Sequence, residues 1–145
     1  MRTIEISNAY QLLNAAKINK LDTESKYTVI KAIRAIKPIA TSYDEFIKDA
    51  QERLKGEEHD DIVAKAQQWQ REGENTTLNV EERAAINEYL NAYNQRVVEC
   101  VQEEAEKEQP LVITHLSEEA FGQLMASNEA WEVKDILLLQ ELLVA

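Results

Sequence analysis

The chain has 145 residues, enough for one domain that needs no disulfide or structural metal to hold it. Its 44% hydrophobic content with three Gly and two Pro suits helices and excludes glycine-rich sandwiches, barrels and phosphate-cradling loops. Sixteen Lys and Arg against 27 Asp and Glu give a net charge of -11, which repels a nucleic-acid backbone, and the single cysteine excludes an internal disulfide or a multi-cysteine zinc site.

Ile4 and Ile6 alternate with Thr3 and Glu5, which predicts a short strand over residues 2 to 6, and Ser7 stands as N-cap to a helix through Tyr10, Leu12, Leu13 and Ala16. Asp22 or Thr23 caps the next helix. Its apolar stripe, Val29, Ile33, Ile36, Ala40, Tyr43, Ile47, Ala50 and Leu54, steps by four and three. Pro38 lies inside that stripe, and because the phase survives it, one kinked helix is expected rather than two. Gly56 ends the stripe, and a shorter helix follows over about 59 to 72.

Asn79 with Glu82 reads as a capping box for a helix running to about residue 107, with an apolar stripe of Ile86, Leu90, Tyr93, Val97 and Cys100. The two striped helices, each about 40 Å long, are expected to form an elongated antiparallel hairpin or bundle. Pro110 stops the second, and Leu111 to Leu116 is β-branched enough to predict a strand pairing with residues 2 to 6 in a two-stranded ribbon. Ser117 caps a short helix, and Ser127 or Asn128 a last one. The expectation is thus a mainly α single domain spanning residues 1 to 145, with one small ribbon.

Residues with chemical potential are few. Glu57, Glu58, His59, Asp60 and Asp61 resemble a ligand set, but consecutive helical residues diverge and no metal-site spacing is present, so a solvated helix start is expected. His115 has no nucleophile or carboxylate partner in any signature, and Cys100 falls on an apolar stripe as a core thiol would. Trp69, Trp131 and the five tyrosines fit a core or hairpin seam better than a ligand cage. The acidic run Glu103 to Glu108 reads as a solvated helix end, and Asn75-Thr76-Thr77 as a turn. The basic residues, Lys17 with Lys20 and Lys26, Lys31, Arg34 and Lys37, are interrupted by apolar positions and lack the aromatic interleaving of a single-strand binder. No catalytic site, cofactor or metal is assigned.

The opening Arg2-Thr3-Ile4-Glu5-Ile6-Ser7-Asn8, then Leu12-Leu13-Asn14-Ala15, Lys26-Tyr27 ahead of Lys31, and the segment from Leu111 to Phe121 before a leucine-rich end resemble a family of small phage and prophage proteins encoded close to tail genes. That resemblance implies a role in assembly, host takeover or regulation. It implies no catalytic residues.

The sequence therefore points to a non-enzymatic interaction protein, an adaptor, assembly factor or chaperone, with a protein partner and neither nucleic acid nor membrane. The N-terminus lacks a secretory apolar core, so a cytoplasmic location is expected. The apolar C-terminal helix suggests that Leu138, Leu139, Leu142 and Leu143 meet a partner or a second copy in a homodimer. The alternative reading is an acidic inhibitor mimicking nucleic acid, on the strength of the net charge.

Overall fold

A computed structural model describes residues 1–145, and about three-quarters of them are helical. Six α-helices follow in order: α1 (Thr3–Asn14), α2 (Thr23–Arg53), α3 (His59–Glu72), α4 (Val80–Ala105), α5 (Glu118–Ser127) and α6 (Val133–Leu143), with a single 3₁₀ turn, Gly73–Asn75, after α3. Two compact units are formed. The first comprises Met1–Glu45 and Glu104–Ala145, and the second Phe46–Glu103, so that α2 and α4 contribute residues to both.

The ribbon expected between residues 2 to 6 and 111 to 116 does not form. Residues 3 to 6 belong to α1 instead, because Thr3, Ile6, Ala9 and Leu13 are buried together at helical spacing, and that longer period outweighs a two-isoleucine alternation. The helix therefore starts four residues before Ser7, which is buried within it. Its start is secured when the Arg2 N–H donates to Glu5 Oε2 at 2.8 Å. That is the reciprocal half of a capping box, since an arginine side chain accepts nothing.

The segment expected as a second strand has no regular structure over residues 111 to 115 and forms no ladder. Chain pairing near it is limited to two isolated bridges, antiparallel between Arg2 and Glu108 and parallel between Leu116 and Val144. The Thr3 N–H donates to the Lys107 carbonyl and the Gln109 N–H to that of Met1, each at 2.9 Å, so the N-terminus pairs for one bridge only, and with residues 107 to 109 ahead of this segment. The acidic run closes over it: Glu108 meets the Met1 ammonium at 3.2 Å and Glu106 the Arg2 guanidinium at 2.9 Å.

Helix α2 is uninterrupted through Pro38. Asp22 caps it, accepting from the Ser25 N–H at 2.7 Å, and this bond holds the Asp22 carboxyl below its usual range. In the first unit Val29, Ala32 and Ile36 of α2 join Ile6, Leu13, Phe121, Leu124, Leu139, Leu142 and Leu143 in one core. Helix α4 starts where expected, with Asn79 Oδ1 accepting from the Glu82 N–H at 2.8 Å, and α5 starts on Ser117 in the same way. Helix α3 stops at Gly73, whose φ of +58° favours glycine.

The last helix starts later than its expected cap. Glu132 takes that place, its N–H bonded to Asp135 Oδ2 at 3.1 Å, while Asn128 ends α5. The Asn128 side chain then clamps the loop after α1: Oδ1 accepts from the Lys17 N–H at 2.8 Å, and Nδ2 lies 2.9 Å from both the Lys17 and Leu124 carbonyls.

Candidate functional site

Each residue singled out for chemistry has an identifiable place. His59 turns inward from the acidic run, its Nδ1 2.7 Å from the Tyr89 hydroxyl, which also accepts from the Gly56 N–H at 3.1 Å. Tyr93, whose ring packs edge-on to His59 at 4.6 Å, donates its hydroxyl to the Gln51 carbonyl at 2.7 Å. The arrangement joins the end of α2, the start of α3 and the face of α4 in the second unit. Nowhere do three or more His, Cys, Asp or Glu side chains converge as a metal site would require.

Cys100 is half-buried rather than in the core, and the Arg53 guanidinium donates to its Sγ at 3.4 Å. The expectation of a core thiol fails because the α4 stripe is not a core stripe: of its members only Ile86 is buried, while Leu90, Tyr93, Val97 and Cys100 are all half-buried. His115 is exposed on the irregular segment before α5. Its cavity also presents Glu141, but neither side chain has a hydrogen-bond partner that would orient it for proton transfer.

The four C-terminal leucines are divided. Leu139, Leu142 and Leu143 are buried in the core of their own unit, so they are not the leftover apolar surface that the composition of α6 suggested. Leu138 alone reaches a groove of 550 Å³, bordered by Asn8, Gln11, Leu12, Lys134 and Asp135 between α1 and α6. The large apolar side chains of α6 that face outward are Val133, at its first position, and Leu137, at 59% exposure.

The most distinctive surface lies on the first half of α2. Between Lys17 and Lys37 stand six of the sixteen cations and only two of the 27 carboxylates, a net charge of +4 in a chain of -11. The apolar residues that interrupt this basic run in sequence, Val29, Ala32 and Ile36, are buried. At 100° per residue the remaining positions gather on the opposite side, where Tyr27, Ile30, Lys31, Arg34 and Lys37 are all exposed. The interruption that argued against a basic patch is thus the core stripe of the helix itself.

Two further features mark this face. The ion pairs of the chain use the Met1 ammonium, Arg2, Lys55, Lys107 and Lys134, and none engages Lys31, Arg34 or Lys37. Tyr27 and Ile30 are exposed at 52% and 37% among these cations, and Lys31 Nζ stands 4.8 Å from the centre of the Tyr27 ring. Unpaired cations beside exposed apolar groups form a surface suited to an anionic ligand that also has something to desolvate.

Comparison with protein-family models, with curated proteins and with solved structures finds no match for this chain. No helix is long and apolar enough to cross a membrane.

Proposed function

We propose that the chain is a non-enzymatic interaction protein, an adaptor or assembly factor, that engages a protein partner through the basic face of α2. The single observation that carries this reading is the set of exposed, unpaired Lys31, Arg34 and Lys37 around Tyr27 and Ile30, in a chain otherwise rich in carboxylates. Aromatic and arginine side chains are the groups that dominate affinity at protein interfaces. The resemblance to phage proteins encoded near tail genes fits an assembly role.

A hairpin between the end of α2 and α4 within the second unit would suit such a scaffold. In the second unit its antiparallel sense is supported by the order of the pairs, Gln51 with Tyr93 and Gly56 with Tyr89, numbers rising on one helix as they fall on the other. Nothing in the arrangement assigns a reaction to the chain.

A photo-crosslinking residue placed at exposed Thr41, beside the face, tests the proposal in the cell of origin. One discrete protein adduct is expected, lost on Arg34→Glu. Absence of any adduct from Thr41 and from a second probe at Thr23, or cross-linking to nucleic acid, would refute it.

A further inference from the structure

We infer that the ligand of this face is a short acidic segment of a partner protein, lying along α2 from Tyr27 to Lys37 with an apolar side chain seated against Tyr27 and Ile30. The inference rests on the partner-binding reading above and names the chemistry of the partner.

The sign of the ligand follows from the unpaired cations. From Ser25 to Tyr43 the chain has no carboxylate, so Lys31, Arg34 and Lys37 have no acid on their own helix at the three- or four-residue spacing that lets side chains pair. Long flexible cations left unpaired on a helix of an acidic protein remain free to accept an external carboxylate, and Arg34 offers the planar fork that takes one through two parallel bonds.

The size of the ligand follows from screening. Ten residue steps from Tyr27 to Lys37 make the face about 15 Å long. Outside Lys17 to Lys37, the same unit carries three cations and twelve carboxylates, a net charge of -9. At physiological salt a charge is felt over about 8 Å, so a ligand confined to the face meets the cations, while a longer polyanion also meets the acids that flank it on the same chain, Asp22 and Glu24 before it and Asp44 and Glu45 after it. A nucleic-acid backbone and an anionic bilayer both extend beyond 15 Å. A peptide segment does not.

The apolar component follows from Tyr27 and Ile30. They are among the few large hydrophobic side chains in the chain that are exposed, and they lie one helical turn apart at the N-terminal end of the face, between Lys26 and Lys31. Ion pairs on an open surface give little affinity alone, so an apolar contact at this place supplies binding that salt does not screen.

The test uses the full chain and a fluorescein-labelled peptide of Glu and Asp with a central Leu-Phe pair, about ten residues long so as to match the face if helical. Saturable binding is expected by anisotropy, weakened at least about tenfold by Lys31→Glu with Arg34→Glu, whose exposed positions leave the fold unaffected. Raising salt from about 50 to 500 mM should weaken it further without abolishing it, and Tyr27→Ala should remove the part that survives. Equal binding of the peptide to the charge-reversed protein, or no binding, would overturn the inference. Tighter binding of oligothymidylate, or of phosphatidylserine vesicles, would overturn it too. If the peptide fails while the Thr41 adduct persists and still depends on Arg34, the partner-binding reading stands and the acidic segment is refuted.

Discussion

Asn128 provides the sharpest test of the fold, because its side chain ties the loop after α1 to the end of α5 through three hydrogen bonds. Replacing it with Ala removes all three. Two of the bonds lie at the surface, where water replaces the lost partner, and one is partly buried, so at about 0.5 to 1.5 kcal/mol each the sum is about 2 kcal/mol. For a chain of this size that corresponds to a fall of about 4 to 8 °C in Tm. Asn128→Asp separates the roles of the two amide atoms: it keeps an acceptor for the Lys17 N–H but turns a carboxylate toward the Lys17 and Leu124 carbonyls, and should be worse than Ala at neutral pH. Its deficit relative to Ala should narrow as pH falls through about 4, when the protonated acid regains a donor. Urea denaturation followed by circular dichroism measures both, and hydrogen exchange at the Lys17 amide gives the local readout. An Ala variant within about 0.5 kcal/mol of the parent, with Lys17 exchange unchanged, would show that the clamp does not operate.

Leu139→Ala, at a position with no exposure, should cost about 2 to 5 kcal/mol, whereas Leu137→Glu on the outer side of the same helix should be nearly neutral; equal effects in denaturant melts would mean that α6 is oriented otherwise. Cys100→Ser should change stability by less than about 1 kcal/mol, since the half-exposed hydroxyl keeps a donor in Arg53; a larger loss in the same melts would restore the buried thiol that the apolar stripe suggested. The Arg2 guanidinium and N–H hold the Glu5 carboxyl below its usual range, so the folded state gains stability above the unfolded value of 4.5 and loses it as pH falls through the lower folded value. Glu5→Gln should flatten that acid limb, and an unchanged pH dependence of Tm would refute the pairing. Tyr89→Phe, which deprives the Gly56 N–H and His59 of a shared hydroxyl, should cost about 1 to 2 kcal/mol, read as faster exchange at the Gly56 and His59 amides.

Most of the helices were legible in the sequence because each long element carries its own period and its own cap. Asp22, Asn79 and Ser117 all cap the helices assigned to them, and the stripe from Val29 to Tyr43 kept its phase across Pro38 as it does in α2. The failures occurred where a short pattern fits two structures. Thr3 to Ile6 alternates like a strand and also begins the stripe completed by Ala9 and Leu13, and only the longer stretch decides. Leu111 to Leu116 has strand composition, but a strand also needs a neighbour to accept its backbone bonds, and composition cannot supply one. Asn128 had a cap's identity and a different duty, because its partner Lys17 lies more than a hundred residues away.

The candidate surface was hidden by two averages. Net charge sums over the whole chain, so a stretch of +4 disappears beneath the -15 of the remaining residues. Reading the basic run along the sequence averages again, because it mixes the inward and outward sides of α2 and makes Val29, Ala32 and Ile36 look like interruptions. Projecting the same residues at 100° each separates them: one arc holds the buried aliphatics and the other Tyr27, Ile30, Lys31, Arg34 and Lys37. The phase that identifies a core also fixes which charges are left facing water together. For an acidic helical protein, the informative quantity is therefore the charge of each outward arc, and the arc whose sign opposes that of the whole chain is where a specific partner gains most over the general repulsion.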